Sequence, residues 1–363
     1  MRKVEFAEFL QDEIREEIPE LENAQMWLRY IQKDNDRSYY GLTIKKPGMD
    51  ISPTFNMDAM YKEYTETEDM LTIMDMIRAG FEELPSLDRM GIDLSDYDSV
   101  KNNITMVIRE KSRCQDIIND VPYIQKGEFI GLFKMEFIND EAAMSATINN
   151  KIMEAYGVNV EQLYEQAKQN DSINKKPGLY KMEEVMADIF IDEPDIVKKN
   201  LLKSDEVIGS DQTMLVLTNE EKREGAALLL DEGILEKISK IMDGGYYVIP
   251  SSIHEAIIVN GFGMNASELN EMIENVNEFE IENEDILSNN SQYYDPEEKV
   301  LMDALKYERK QKFKNVTYEI ESNSQEKVTS SEKSRENPYR KEQKKREMKN
   351  EAFKYPANRF GGY

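Results

Sequence analysis

Phe6, Phe9, Leu10 and Ile14 recur at three- and four-residue spacing and predict an amphipathic helix that ends near Pro19. Residues 25–32 and 38–44 are rich in aromatic and apolar side chains and flank the polar run Lys33-Asp34-Asn35-Asp36-Arg37, the pattern of a β-hairpin. Trp27, the one tryptophan, falls in the first of these strands and is expected to anchor the core. After the Lys46-Pro47-Gly48 turn, an extended start leads into a helix from about Asp58, with Met70, Ile73, Met74 and Ile77 forming an apolar face that stops between Gly80 and Pro85. A further helix is expected over 98–118, ended by Pro122. Residues 128–137 and 143–148 predict two strands joined around Asn139-Asp140-Glu141.

In the second half, 149–171 reads as two helices, with Gly157 as a left-handed cap and Asn159 capping the helix that follows. Residues 180–190 predict a shorter helix, and the polar stretch 191–212 has no assignment. Residues 214–219 form a short strand, after which Asn219 is expected to cap a helix carrying Ala226, Leu229, Leu230, Ile234 and Ile238 inward. Residues 246–249 and 256–259 predict two more strands. The stretch 267–277 predicts a helix capped by Ser267, with Leu269, Ile273 and Val276 facing in. Helices mixed with hairpins, and no glycine-rich loop after a strand, favour an α+β fold with mixed, largely antiparallel sheets and packed helices. Hydrophobic density drops from Lys306 onward. The expected organisation is one domain over 1–305, with a subdomain break near 140–150 or 191–212, and a charged mobile or helical tail over 306–363.

Charge sharpens that division. The net charge of -26 is unevenly spread: from 306 onward 16 Lys and Arg stand against 9 Asp and Glu, which leaves 30 against 63 in residues 1–305, or -33. An acidic body is repelled by phosphate backbones and anionic membranes, so direct nucleic-acid binding by the body and membrane association are not expected. The basic tail, with Asn337-Pro338-Tyr339-Arg340-Lys341 at its centre, suits contact with an acidic surface or service as a solubilising segment. A single cysteine, Cys114, excludes an internal disulfide and a multi-cysteine zinc site. The N-terminus lacks the apolar stretch of a signal peptide, and no run nears the ~18 apolar residues of a membrane span, so a cytoplasmic location is expected.

Candidate chemistry concentrates in the run Pro250-Ser251-Ser252-Ile253-His254-Glu255, which holds the chain's one histidine. Ser252 with Glu255 matches a capping box after a proline turn, and that structural account is favoured. The catalytic reading makes Ser251 or Ser252 a nucleophile, His254 its base and Glu255 the orienting acid. Neighbours on one short turn rarely converge on one reacting atom, and no nucleophile-elbow GxSxG is present. His254-Glu255 begins like HExxH, but Ile258 stands where the second histidine belongs. Walker-type, GxGxxG and EF-hand patterns are missing, so neither a cofactor nor a metal is expected. Acidic groups such as Glu280, Glu282, Glu284 and Asp285 read as solvated surface, and Cys114 as a structural thiol in a helix.

Several phrases taken together resemble an uncharacterised domain family of gut anaerobic Firmicutes: Asp50-Ile51-Ser52-Pro53-Thr54, Tyr156-Gly157-Val158, Leu217-Thr218-Asn219 with Gly225-Ala226-Ala227, and above all Ile249-Pro250-Ser251-Ser252-Ile253-His254-Glu255. The resemblance spans about residues 1–300 and implies a single-domain bacterial protein of unknown function, with no reaction or catalytic residue to transfer. Asn56 stands where the family pattern leads one to expect tyrosine. The reading that results is a binding or interaction protein with an unidentified protein partner, leaning away from an enzyme. The alternatives are a hydrolase-like enzyme using Ser251, Ser252, His254 and Glu255, and an acidic nucleic-acid mimic linked to mobile elements.

Overall fold

The computed structural model describes residues 2–314 except 33–37, 50–51, 83–91, 139–142, 191–197, 210–212, 251, 261–262 and 264. The chain divides into two compact units, 1–305 and 306–363. In the second unit the described residues, 306–314, are helical.

The first unit has an α+β architecture with two large hydrophobic cores. In one, α1 (Lys3–Glu17) buries Phe6, Ala7, Leu10 and Ile14. They pack with a three-stranded sheet, β1 (Gln25–Gln32), β2 (Ser38–Lys45) and β3 (Thr54–Asn56), and with α2 (Met57–Thr67) and α3 (Met70–Glu82). Asn56 accepts the Asp58 and Ala59 amides as the N-cap of α2. Trp27 is not a core anchor. Strand alternation sends its neighbour Met26 to the core, and Trp27 stays half-buried beneath the Arg29 guanidinium, 5.4 Å from the ring centroid.

The larger core lies between two antiparallel sheets. The element expected as a helix over 98–118 is instead a helical turn, α4 (Tyr97–Val100), followed by strand β4 (Ile104–Glu110). Ile104-Thr105-Met106-Val107-Ile108 is almost all buried. A strand covered on both faces loses the alternation that would reveal it, and β-branched side chains then favour extension over helix. β4 pairs with β6 (Phe129–Ile138), and β5 (Tyr123–Lys126) and β7 (Ala143–Thr147) share the opposite edge of β6 end to end. α5 (Asn150–Tyr156) and α6 (Val160–Asn174) follow, with Gly157 and Asn159 as caps. The six-stranded sheet has the order β13-β12-β10-β11-β9-β8. Its strands are β8 (Pro177–Lys181), β9 (Leu215–Asn219), β10 (Tyr246–Ile249), β11 (Ala256–Val259), β12 (Gln292–Asp295) and β13 (Val300–Asp303). The helix expected over 180–190 begins only at α7 (Met182–Phe190), because residues 177–181 pair with β9.

Asn219 does not cap a long helix. Its amide oxygen accepts the Arg223 N–H and its amide nitrogen donates to the Arg223 carbonyl, closing a loop. The following Gly225–Leu230 is a 3-10 segment buried at all six positions, and α8 (Glu232–Met242) starts afresh with Asp231 as its cap. Apolar spacing of three and four fits either helix type, but a segment apolar on every side has to be core filling. Leu230 sits over Gly131 of β6, where a Cβ would come within 2.9 Å of the leucine methyl. α9 (Ala266–Phe279) is capped by Asn265 and not Ser267, and Val276 is exposed. Among the described residues no helix is long and apolar enough to cross a membrane.

Candidate functional site

The two faces of the β4–β6 sheet have different fates. Ile104, Met106 and Ile108, with Phe129, Phe133, Met135 and Phe137, enter the large core. The alternate residues point to the other face. At one end, Val107, Ile130 and Leu132 pack with Cys114 and Val121 in a small apolar cluster. At the other end the same face turns polar, with Lys134 paired in register to Thr105 on one side and Thr147 on the other, and Glu136 to Ser145. This polar end floors a cleft of about 540 Å³ whose walls come from Lys175, Arg223, Glu224, Ile253, His254 and Asp285.

Helix α6 finishes the free edge of β4 with side chains in place of a strand. Asn170 donates to the Lys101 and Ile104 carbonyls, and the Asp171 carboxylate accepts the Met106 N–H at 3.1 Å and the Thr105 hydroxyl at 2.6 Å. Lys175, itself buried, lies 3.5 Å from Asp171. Burial pushes the Asp171 carboxyl above its ordinary range, and Lys175 and the two hydrogen bonds pull it back down.

The loop after β9 aims Arg223 and Glu224 at the cleft. Lys222 and Glu224 both hold a left-handed backbone, at φ 52° each, a conformation that costs non-glycine residues of order 1–3 kcal/mol and that the Asn219 clamp maintains. Arg223 pairs with Glu136 at 2.7 Å. Glu224 receives both ends of the Arg109 guanidinium at 2.6 Å, and Arg109 is fully buried.

His254 occupies the turn between β10 and β11. The favoured capping box does not form, because no helix follows: β11 begins at Ala256 and pairs back on β10 and β9. The buried Ser252 hydroxyl instead accepts the His254 N–H at 2.9 Å and bonds the Glu255 carboxyl. The turn is sewn to 285–288 by Ile253 N–H to the Asp285 carbonyl (2.8 Å) and Ser288 N–H to the Pro250 carbonyl (3.0 Å). Arg113 holds that segment from behind through the Ile286 and Asn283 carbonyls. Gly225 lets the neighbouring loop approach: a Cβ there would meet the His254 carbonyl oxygen at 2.4 Å.

Both imidazole nitrogens have protein partners. Nδ1 accepts the Glu224 N–H at 3.2 Å, and Nε2 lies 3.3 Å from the Asp285 carboxylate. An accepting Nδ1 carries no hydrogen, so a neutral ring carries its hydrogen on Nε2, the nitrogen that faces the Asp285 carboxylate. Of the proposed serine–histidine–acid set, Ser252 meets His254 through the backbone N–H and not the ring, Glu255 bonds Ser252, and Ser251 lies outside the described residues. The partners that matter are Asp285, which the sequence places on solvated surface, and Glu224 and Arg109, to which it assigns no role. Arg109 alone carries a signal in the sequence, a charge within an apolar run, whereas Glu224 and Asp285 lie in acidic stretches like others in the chain. Among the described residues no cluster of His, Cys, Asp and Glu could hold a metal.

A family model described as a family of unknown function, DUF5688, matches residues 3–296. The chain belongs to this family. No curated protein matches the chain, and no solved structure does. The DUF5688 match takes in every residue of the cleft, from Gln32 to Asp285.

Burial raises the Glu255 carboxyl above its ordinary 4.5, opposed by His254 and the Ser252 hydroxyl. The folded state therefore holds that proton more tightly than the unfolded chain. Glu255 adds stability in full below the ordinary value, and the contribution is lost as pH rises through the folded value. Glu255→Gln keeps an acceptor for Ser252 and removes the ionisation. Urea midpoints measured from about pH 4 to about pH 7 are expected to show the variant gaining on wild type as pH rises; a constant difference would mean that Glu255 ionises alike in both states.

Proposed function

We propose that this DUF5688 protein works as a non-catalytic binding protein and that the cleft above β4, β6 and β7 is where it binds. The observation that carries the reading is the occupied imidazole. A general base needs a nitrogen lone pair facing its substrate, and His254 spends Nδ1 on a backbone amide while Nε2 faces the Asp285 carboxylate at 3.3 Å. The ring then acts as a wall that ties the Arg223–Glu224 loop to the 285 turn. A cleft of about 540 Å³ on a sheet floor has the size of a small-ligand site.

The reading is tested with Ser145→Trp, which fills the cleft from an exposed position on its floor. In thermal unfolding with a panel of amino acids, dipeptides, nucleosides and disaccharides, at least one class is expected to raise the melting temperature of wild type and not of Ser145→Trp. In parallel, neither wild type nor His254→Asn should hydrolyse p-nitrophenyl acetate or a fluorogenic peptide above the buffer rate. Hydrolysis by wild type that His254→Asn abolishes, without loss of fold, would establish the enzyme reading instead.

A further inference from the structure

We infer that the ligand of this cleft is a zwitterion with an aliphatic side chain, a free amino acid or a short peptide; the inference rests on the binding reading and names its ligand class. Charge is the first argument. The body of the protein carries -33, yet the charged cleft residues balance: Lys134, Lys175 and Arg223 against Glu136, Glu224 and Asp285. A polyanion such as a nucleotide would meet three carboxylates as well as the field of the acidic body, and a polycation would meet three basic groups. A ligand carrying one charge of each sign meets an opposite partner at each end.

Two of these groups, one of each sign, are open enough to meet a ligand. Arg223 and Asp285 are the most open of the ion-paired side chains that line the cleft, at 42% and 35% exposure, while the Lys175 and Arg109 pairs are withdrawn into the protein. The Asp285 carboxylate lies beside the imidazole Nε2 at 3.3 Å and suits an ammonium; Arg223, which gives one guanidinium nitrogen to Glu136, has further N–H groups that suit a carboxylate through a charge-assisted pair. Backbone bonds fix both groups: Arg113 and Ile253 hold the 285 turn, and Asn219 holds Arg223. Such pre-organisation reduces the entropic cost of binding a small flexible molecule.

The rest of the lining selects the side chain. Val107, Ile117, Val121 and Ile253 form an aliphatic part of the wall, and among the described residues no Phe, Tyr or Trp lines the cleft. Nucleobases and sugar rings are commonly held by stacking on aromatic faces, and that platform is missing. An aliphatic chain such as that of leucine buries well against valine and isoleucine.

Calorimetric titration of the full chain with leucylglycine, N-acetyl-leucylglycine and leucylglycinamide tests the inference. Leucylglycine is expected to bind, and blocking either end to weaken it about tenfold, the worth of one charge-assisted contact. Asp285→Asn removes the charge at nearly constant shape and should weaken leucylglycine about tenfold while leaving N-acetyl-leucylglycine unchanged. If Asp285→Asn does not fold, the comparison of blocked and free peptides on wild type decides alone. Equal binding of blocked and free peptides, or no binding of leucylglycine at millimolar concentration, overturns the inference. A nucleoside or disaccharide that protects wild type and not Ser145→Trp, with leucylglycine inert, overturns the ligand class and leaves the binding reading standing.

Discussion

Arg109→Ala is expected to lower the unfolding free energy by about 3–5 kcal/mol, a large part of the total for an ordinary domain. The guanidinium is fully buried, donates to both Glu224 oxygens at 2.6 Å and to the Ile108 carbonyl at 2.6 Å, and alanine would strip a mostly buried carboxylate of this two-pronged pair. The cost lies chiefly in the desolvated carboxylate that loses its guanidinium and less in the pair itself. Arg109→Met combined with Glu224→Gln should therefore recover more than half of the loss. Chemical denaturation of the two variants beside wild type measures both effects. A loss below about 1 kcal/mol for Arg109→Ala would place the pair with exposed surface ion pairs and refute its role as the support of the cleft wall. The same variant should also loosen His254, because the Glu224 backbone that donates to Nδ1 is fixed by this carboxylate.

Gly225→Ala should cost at least about 1–3 kcal/mol, the range for forcing extra atoms into a packed site. The new methyl would lie 2.4 Å from the His254 carbonyl oxygen, 2.6 Å from the Thr218 hydroxyl and 3.0 Å from the Asn219 nitrogen. Two of those are backbone atoms, so a rotamer change cannot relieve the overlap. Either the 250–255 turn or the 219–225 loop has to move, and with it the Thr218 hydroxyl to His254 carbonyl bond and the Ala226 N–H to Ile253 carbonyl bond. The expected signature is a lower melting temperature together with a shift of the His254 ring resonances. Gly157→Ala is the useful contrast: it also strains the backbone, at φ 67°, but has nothing within 4 Å and lies away from the cleft, so the His254 signals should stay where they are. Unperturbed His254 signals in Gly225→Ala would show that the two loops are not in the contact described.

Local pattern made the hairpins legible. β1 with β2 and β6 with β7 each combine a run of strand formers with a polar turn, and both signals lie within twenty or so residues. The failures share a different cause. β4 was hidden because burial on both sides erased its alternation, and Gly225–Leu230 passed for part of a long helix because its spacing suits two helix types. β12, Gln292–Asp295, is short and carries polar residues at both ends, so nothing in it announces a strand until Tyr294 packs on Tyr246.

The candidate site divides in the same way. The phrase around His254 could be singled out from the sequence, because it holds the one imidazole beside hydroxyl and carboxyl groups. Its local chemistry was legible as far as a turn stabilised by Ser252, though the hydroxyl serves the His254 amide and no helix begins there. The ring partners were not legible. Glu224 lies 30 residues upstream and Asp285 about as far downstream, each in an acidic stretch like many others in the chain.

By itself, then, the sequence determined what depends on neighbours along the chain: the α+β class, most strand and helix positions, the change of composition at Lys306 and the phrase that contains His254. Tertiary structure alone decided which face of the β4–β6 sheet became a cleft, which charges were paired away in its walls and which groups flank the imidazole. The reason is physical. Secondary structure is set by steric and hydrogen-bonding preferences over a few residues, whereas an ion pair or a cleft is set by distances through space, and chain segments about thirty residues apart carry no local mark of the partner they will meet.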